Sequence, residues 1–245
     1  MWITKDLCFL KMSSTTVFLT VMYQMCRMSW RRACCLFSLL TCFFLLMLVA
    51  FLGLKIPSAQ WYHFPAACRT PDSILKDMKV LVFKINEALS ELQISHAICY
   101  GTLWGTLRNG ELLPWDNNVD FCVNWADINK VDSDHITEIF NQKQLSISYV
   151  PRLGHYEVKY GSADGYVTVF SGMFYGEMYR TGWLYNLLWW FQSKPISFPT
   201  NLLEAPLPTK KLYGHDVPVP KESIEILKYL YPDDWWLEVR PPGCH

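Results

Sequence analysis

No surplus of either charge marks this chain. Lysine plus arginine and aspartate plus glutamate both number 22, so the formal net charge is zero. A nucleic-acid binder normally carries a basic surplus, and that class of partner is set aside. No Cys-x-x-Cys pair occurs among the nine cysteines, so a zinc site has weak support. No Asn-x-Ser/Thr sequon follows Lys55, and N-glycosylation is not expected there. Internal repeats and low-complexity tracts are also missing. What is left is 245 residues, enough for one domain of moderate size with some chain to spare.

Charge is absent over one long run, Ala33 to Leu54: "ACCLFSLLTCFFLLMLVAFLGL". Its 22 residues would make a helix roughly 33 Å long, enough to cross a hydrocarbon core. Arg27, Arg31 and Arg32 precede it, and only Lys55 follows closely. The positive-inside rule predicts a cytosolic tail over 1–32, a signal-anchor transmembrane helix over 33–54, and a lumenal remainder. The run is too long and starts too late for a cleaved signal peptide. Within the remainder, 55–70 reads as a stem and 71–245 as the lumenal domain.

That topology puts Cys68, Cys99, Cys122 and Cys244 where disulfides form. Four cysteines allow three pairings, and spacing does not choose among them. Cys68 and Cys244 lie near the ends of the domain and could tie them together. Cys99 and Cys122 also read as small buried hydrophobes.

The domain opens on Thr70-Pro71-Asp72, a helix start with Thr70 as the capping hydroxyl. Ile74, Leu75, Met78, Leu81, Val82, Ile85, Leu89 and Leu92 follow at helical spacing. "HAICYG" and "VDFCVNW" read as strands around "LWGTLRNG", a short helix or turn closing at Gly110. "LSISYV", "HYEVKYG" and "GYVTVFSG" read as further strands, with turns at Pro151, Gly154, Gly161 and Gly165. "WLYNLLWWFQ" is helix-like, and "ESIEILKYLY" is a last short helix. The fold class expected is α+β, a mixed sheet with flanking helices.

The stretch "YGTLWGTLRNGELLPWDNNVD" carries the chemistry. Gly101-Thr102 ends one strand, and Asp116 and Asp120 lead into the next. Period-two spacing puts 116, 118 and 120 on one face. Small residues let a backbone approach phosphates, and clustered acids suit Mg²⁺ or Mn²⁺. This is the layout of the nucleotidyltransferase fold.

The stretch resembles the core motif of the LicD/fukutin family, in which a Gly-Thr-Leu-Leu-Gly segment leads through an Arg to Pro-Trp-Asp and an Asp-x-Asp pair. "LPTKKLYGHDVPVPKESIEILKYLYPDDWW" is similar to that family's ending, and the likeness spans roughly Ile74 to Trp236. The resemblance implies transfer of a phosphorylated alcohol, such as phosphocholine or ribitol phosphate, from a CDP-activated donor to a glycan acceptor. It further implies a type II membrane protein of the Golgi or endoplasmic reticulum, in a complex with other glycosylation enzymes. Asp116 and Asp120 would be catalytic and metal-binding. Gly101, Thr102 and Arg108 would contact nucleotide or phosphate.

The departures from the pattern bear on the metal. Asn118 stands at the first position of the Asp-x-Asp pair, as a weak ligand, and Thr168 stands where a third acid is expected on a later strand. The Mg²⁺ or Mn²⁺ cofactor is therefore expected to bind weakly or to be lost. Glu157 and Asp164 are the next carboxylates in line. Other residues keep ordinary readings beside the sharp ones: Arg108 as a surface arginine, Trp115 as packing under the acidic strand, and His155 and Glu157 as strand surface. Lys210 and Lys211 read as solvated, and the Trp189-Trp190 and Trp235-Trp236 pairs as core or sheet cover. Three functions follow: a transferase, a degenerate relative that binds nucleotide or glycan, and a structural partner in a glycosylation complex.

Overall fold

The computed structural model describes residues 34–49, 67–172, 176–184, 197–232 and 234–244. The chain divides into two units, Met1–Lys55 and Ile56–His245. In the first, 34–49 form helix α1, whose leucines and phenylalanines are exposed. Among the described residues no helix is long and apolar enough to cross a membrane. The described part of α1 is about 24 Å long at 1.5 Å per residue, and the rest of the predicted span lies outside the described residues.

The second unit begins with α2 (Asp72–Glu91), whose three- and four-residue periodicity buries Met78, Leu81, Val82, Ile85 and Leu89. Thr70 does not cap it. Pro71 holds the cap position, and the Thr70 hydroxyl donates instead to the Asp116 carbonyl at 2.5 Å. There follow β1 (His96–Ile98), α3 (Tyr100–Asn109), β2 (Asn118–Asn124), α4 (Trp125–Ile128) and α5 (Ser133–Gln142). Gly110 ends α3 in the left-handed region at φ 67°, and its N–H closes on Thr106. Then come β3 (Ser146–Val150), β4 (His155–Tyr160), β5 (Ala163–Gly172), β6 (Glu177–Arg180) and β7 (Ser197–Pro199). A hairpin, β8 (Thr209–Leu212) and β9 (His215–Pro218), precedes α6 (Ser223–Leu230).

Seven strands form one sheet in the order β1-β2-β5-β4-β3, with β6 on the end of β5 and β7 on β6. Among the described strands only β2 and β5 run parallel, so the sheet is mixed, as the α+β expectation required. One face of the sheet is covered by α2. A side chain at Gly165 would meet Ile85, Leu81 and Val119 at 3.0–3.3 Å, so Gly165 sits inside β5 as a packing position and not at the turn expected there. The β8–β9 hairpin was not foreseen. Its turn is Tyr213-Gly214, both with positive φ, a geometry that suits the twist of a two-residue hairpin.

Two disulfides staple the domain: Cys68 with Cys244, and Cys99 with Cys122. The first is the tie between the ends. The second corrects the reading of Cys99 and Cys122 as small hydrophobes: both are fully buried, but joined to each other.

Candidate active site

The start of α3 holds the middle of β2. The Cys99 N–H donates to the Asp120 carbonyl at 2.9 Å. The Asp120 N–H donates to the Thr102 hydroxyl oxygen, also at 2.9 Å. The Cys99–Cys122 bridge closes the same junction. The backbone of Asp120 is thus gripped on both sides. Thr102, expected at the phosphate, is fully buried, and its oxygen serves the Asp120 backbone.

Asp116 lies in the loop before β2, with no exposed surface. Its N–H reaches the Leu113 carbonyl and its carbonyl takes the Thr70 hydroxyl, so the loop is fixed. Among the described residues neither carboxyl oxygen has a well-formed hydrogen bond, and only the neighbouring Asn117 backbone N–H acts to lower its pKa. Burial and the neighbouring Asp120 charge push its pKa well above the ordinary 3.8. Asp120 is pushed up to about 7 by burial, while the Asn118 amide and the Arg180 charge pull the other way. The two acids are therefore close enough to repel. Gly101 makes room for this: a Cβ there would lie 2.4 Å from an Asp116 oxygen. Gly101→Ala is expected to destabilise the domain by about 1–3 kcal/mol, the usual result of overpacking. A urea melt checks it, and an unchanged midpoint would mean that Asp116 has somewhere else to go.

Strand register lays out the face of the sheet that carries Asp120. Asn118, Asp164 and Lys159 form one row across β2, β5 and β4. Asp120, Tyr166 and Glu157 form the next, and Cys122, Thr168 and His155 the third. The Tyr166 phenol marks the centre: burial raises its pKa first, then Asp164, Glu157 and Asp120. Alternation in "ADGYVTVF" carried this signal, since 164, 166 and 168 must share a face. Thr168 is 2% exposed and faces His155 across the ladder. His155 is not strand surface as expected. It is buried, its Nδ1 accepts from Arg180 Nη2 at 2.8 Å, and its Nε2 lies 3.7 Å from Glu157 Oε1. Nothing in the sequence singled out Arg180.

Arg108 turns to the C-terminal segment. It donates to the Leu237 carbonyl and stacks 4.1 Å above Trp104, and burial lowers its pKa. It lines a small cleft of about 30 Å³ together with Gly101, Trp104, Trp115 and Tyr231. Trp115 faces that cleft, with Arg240 5.6 Å from its ring. Lys210 and Lys211 are exposed, and Lys211 pairs with Asp216 at 2.7 Å. Trp235 packs against the core, whereas Trp236 is exposed. Trp189 and Trp190 lie outside the described residues.

A Mg²⁺ or Mn²⁺ ion wants several converging carboxylate oxygens. Among the described residues no group of three or more His, Cys, Asp or Glu is placed to hold one. Asn118 donates to Asp120 where it would have to bring charge, Thr168 is neutral and buried, and burial together with the neighbouring Asp120 favours the protonated form of Asp116. The residues present do not fit the ion.

The frame itself is recognisable. The family described as LicD/FKTN/FKRP, nucleotidyltransferase domain, matches residues 93–222, more than half of the chain. The chain belongs to this family. No curated protein matches it.

Proposed function

We propose that this LicD-family member works on a CDP-activated phosphorylated alcohol, of the phosphocholine or ribitol phosphate type, and a glycan acceptor in the secretory pathway. The observation that carries this reading is the assembled frame: the start of α3 grips Asp120, and Gly101 seats Asp116 beside it. A site of this family moves the phospho-alcohol by positioning donor and acceptor and by neutralising phosphate charge. A second reading is favoured by the missing charge at Asn118 and Thr168: the domain binds nucleotide or glycan, alone or beside an active glycosylation enzyme, without transfer.

The location proposed is the Golgi or endoplasmic reticulum membrane, with one span over 33–54 and the domain in the lumen. Two disulfides suit that oxidising compartment. Protease added to sealed microsomes should trim the N-terminal tail and spare the domain. Digestion of the domain in sealed vesicles would refute the topology.

The two readings part in one experiment on the full chain in detergent. Calorimetry measures CDP binding, and release of CMP from CDP-ribitol or CDP-choline measures turnover. The first reading expects both, the second expects binding alone. Neither signal would leave only a structural role in a complex.

A further inference from the structure

Two thiols open helix α1. Cys34 and Cys35 are its first described residues, and both are exposed and free of any disulfide. The helix behind them is apolar on every side: Leu36, Phe37, Leu39, Leu40, Phe43 and Phe44 are each more than 60% exposed. A helix of that kind belongs in a core or in a bilayer. In the sequence Arg31 and Arg32 come just before the pair, with Arg27 a few positions earlier. Arginines before and an unbroken apolar run after set the level of the pair. It is the boundary between headgroups and acyl chains, on the cytosolic side of the span proposed above. The cytosol keeps thiols there reduced, unlike the four bridged cysteines of the domain.

We propose that Cys34 and Cys35 are a site of S-acylation, each taking a long-chain fatty acyl group from acyl-coenzyme A. The cysteine sulfur attacks the thioester carbonyl of the donor. A new sulfur–carbon bond forms, the bond to coenzyme A breaks, and coenzyme A leaves as its thiol with the cysteine's proton. No oxidant or reductant enters. The acyl chains join the leaflet that already surrounds the start of α1 and pin the cytosolic end of the span at the membrane surface. Cys42 has the same exposed free thiol but lies eight positions past Cys34, about 12 Å further along the helix. The charged head of acyl-coenzyme A does not enter hydrocarbon to that depth, so Cys42 stays a thiol. The inference rests on the topology proposed above, with 1–32 in the cytosol, and does not depend on whether CDP binds.

The test uses the full chain expressed in cells and recovered in microsomes. Free thiols are blocked, thioesters are cleaved with neutral hydroxylamine, and the thiols released are tagged with a polyethylene glycol maleimide and counted on a gel. Disulfides are left intact, so the bridged cysteines take no tag. The wild type should carry two tags, Cys34→Ser and Cys35→Ser one each, and the double variant none. Cys42→Ser should keep both, and leaving out hydroxylamine should remove every tag. Protease added to the same sealed vesicles reads the topology independently. A protected domain on an untagged wild-type chain overturns this inference and leaves the topology standing. Tags that persist in the double variant overturn it as well, because the thioester then sits on another cysteine. A digested domain overturns the topology and this inference together, since the pair would then face the lumen. Loss of CDP binding alone strikes the function proposed above and leaves the acylation site standing.

Discussion

Replacing Cys244 by serine is expected to cost the domain about 5 kcal/mol. The Cys68–Cys244 bridge spans a sequence separation of 176 residues, and in the chain-entropy model a loop of that size constrains the unfolded chain by about that amount. Domains are held by only about 5–15 kcal/mol in all, so one sulfur is expected to decide whether this one stays folded at body temperature. The local consequence is just as definite. The bridge anchors the segment after α6, which brings Leu237 to Arg108 and Trp235 to the core. Without the anchor, the cleft beside Gly101 loses one wall. Urea melts of Cys68→Ser, Cys244→Ser and the double variant test this. All three should share one lowered midpoint, because each breaks the same bond. A Cys244→Ser midpoint equal to the wild type would mean that the bridge contributes nothing. Cys99–Cys122 closes a far smaller loop, with a separation of 23, and its loss should cost less, about 3.5 kcal/mol in the same model.

The elements that set the frame were legible because local rules governed them. Apolar spacing marked α2, the αL glycine marked the end of α3, and alternation marked β2 to β5. The β8–β9 hairpin was hidden because its strands are short and mostly exposed, with prolines close by. In the site, Asp116, Asn118 and Asp120 could be found because they sit within five residues of one another. Their environment could not. The burial of Asp116, the use of Thr102 as a backbone acceptor and the turn of Arg108 toward Leu237 all come from contacts with distant segments. Thr70 shows the same effect on a small scale. A hydroxyl with the right neighbours for a cap was recruited by a carbonyl 46 residues away. Arg180 belongs to this group too. It lies 25 positions beyond His155, on a four-residue strand with no motif around it, and only the order of strands brings the two together.

Changing Asp116 to asparagine is expected to stabilise the domain, and by more at higher pH. The carboxyl is wholly enclosed, among the described residues its oxygens have no well-formed hydrogen bond, and burial and the adjacent Asp120 outweigh the Asn117 backbone N–H that pulls its pKa the other way. Its folded pKa is therefore raised far above the ordinary 3.8, so the folded chain keeps a proton that the unfolded chain releases. Below about pH 4 both states hold that proton, and the carboxyl has no effect of this kind. As pH rises from there to the folded pKa, the unfolded state gains, and stability falls by about 1.4 kcal/mol per pH unit. Above the folded pKa the penalty is constant. Asp120, raised to about 7, adds a slope of the same sign between about pH 4 and 7 in the wild type and the variant alike, so it drops out of the comparison apart from its coupling to Asp116. Asparagine has nearly the same shape and no proton to lose. The Asp116→Asn variant should then match the wild type near pH 4 and pull ahead steadily toward neutrality. Urea midpoints at half-unit steps from pH 4 to 8 measure the gap. A gap that does not change with pH would show that Asp116 ionises freely in the folded chain, which its enclosure forbids unless a cation comes in to meet it. Repeating the series with Mn²⁺ separates those cases: a metal that reached Asp116 would stabilise the wild type above pH 5 and leave the asparagine variant where it was.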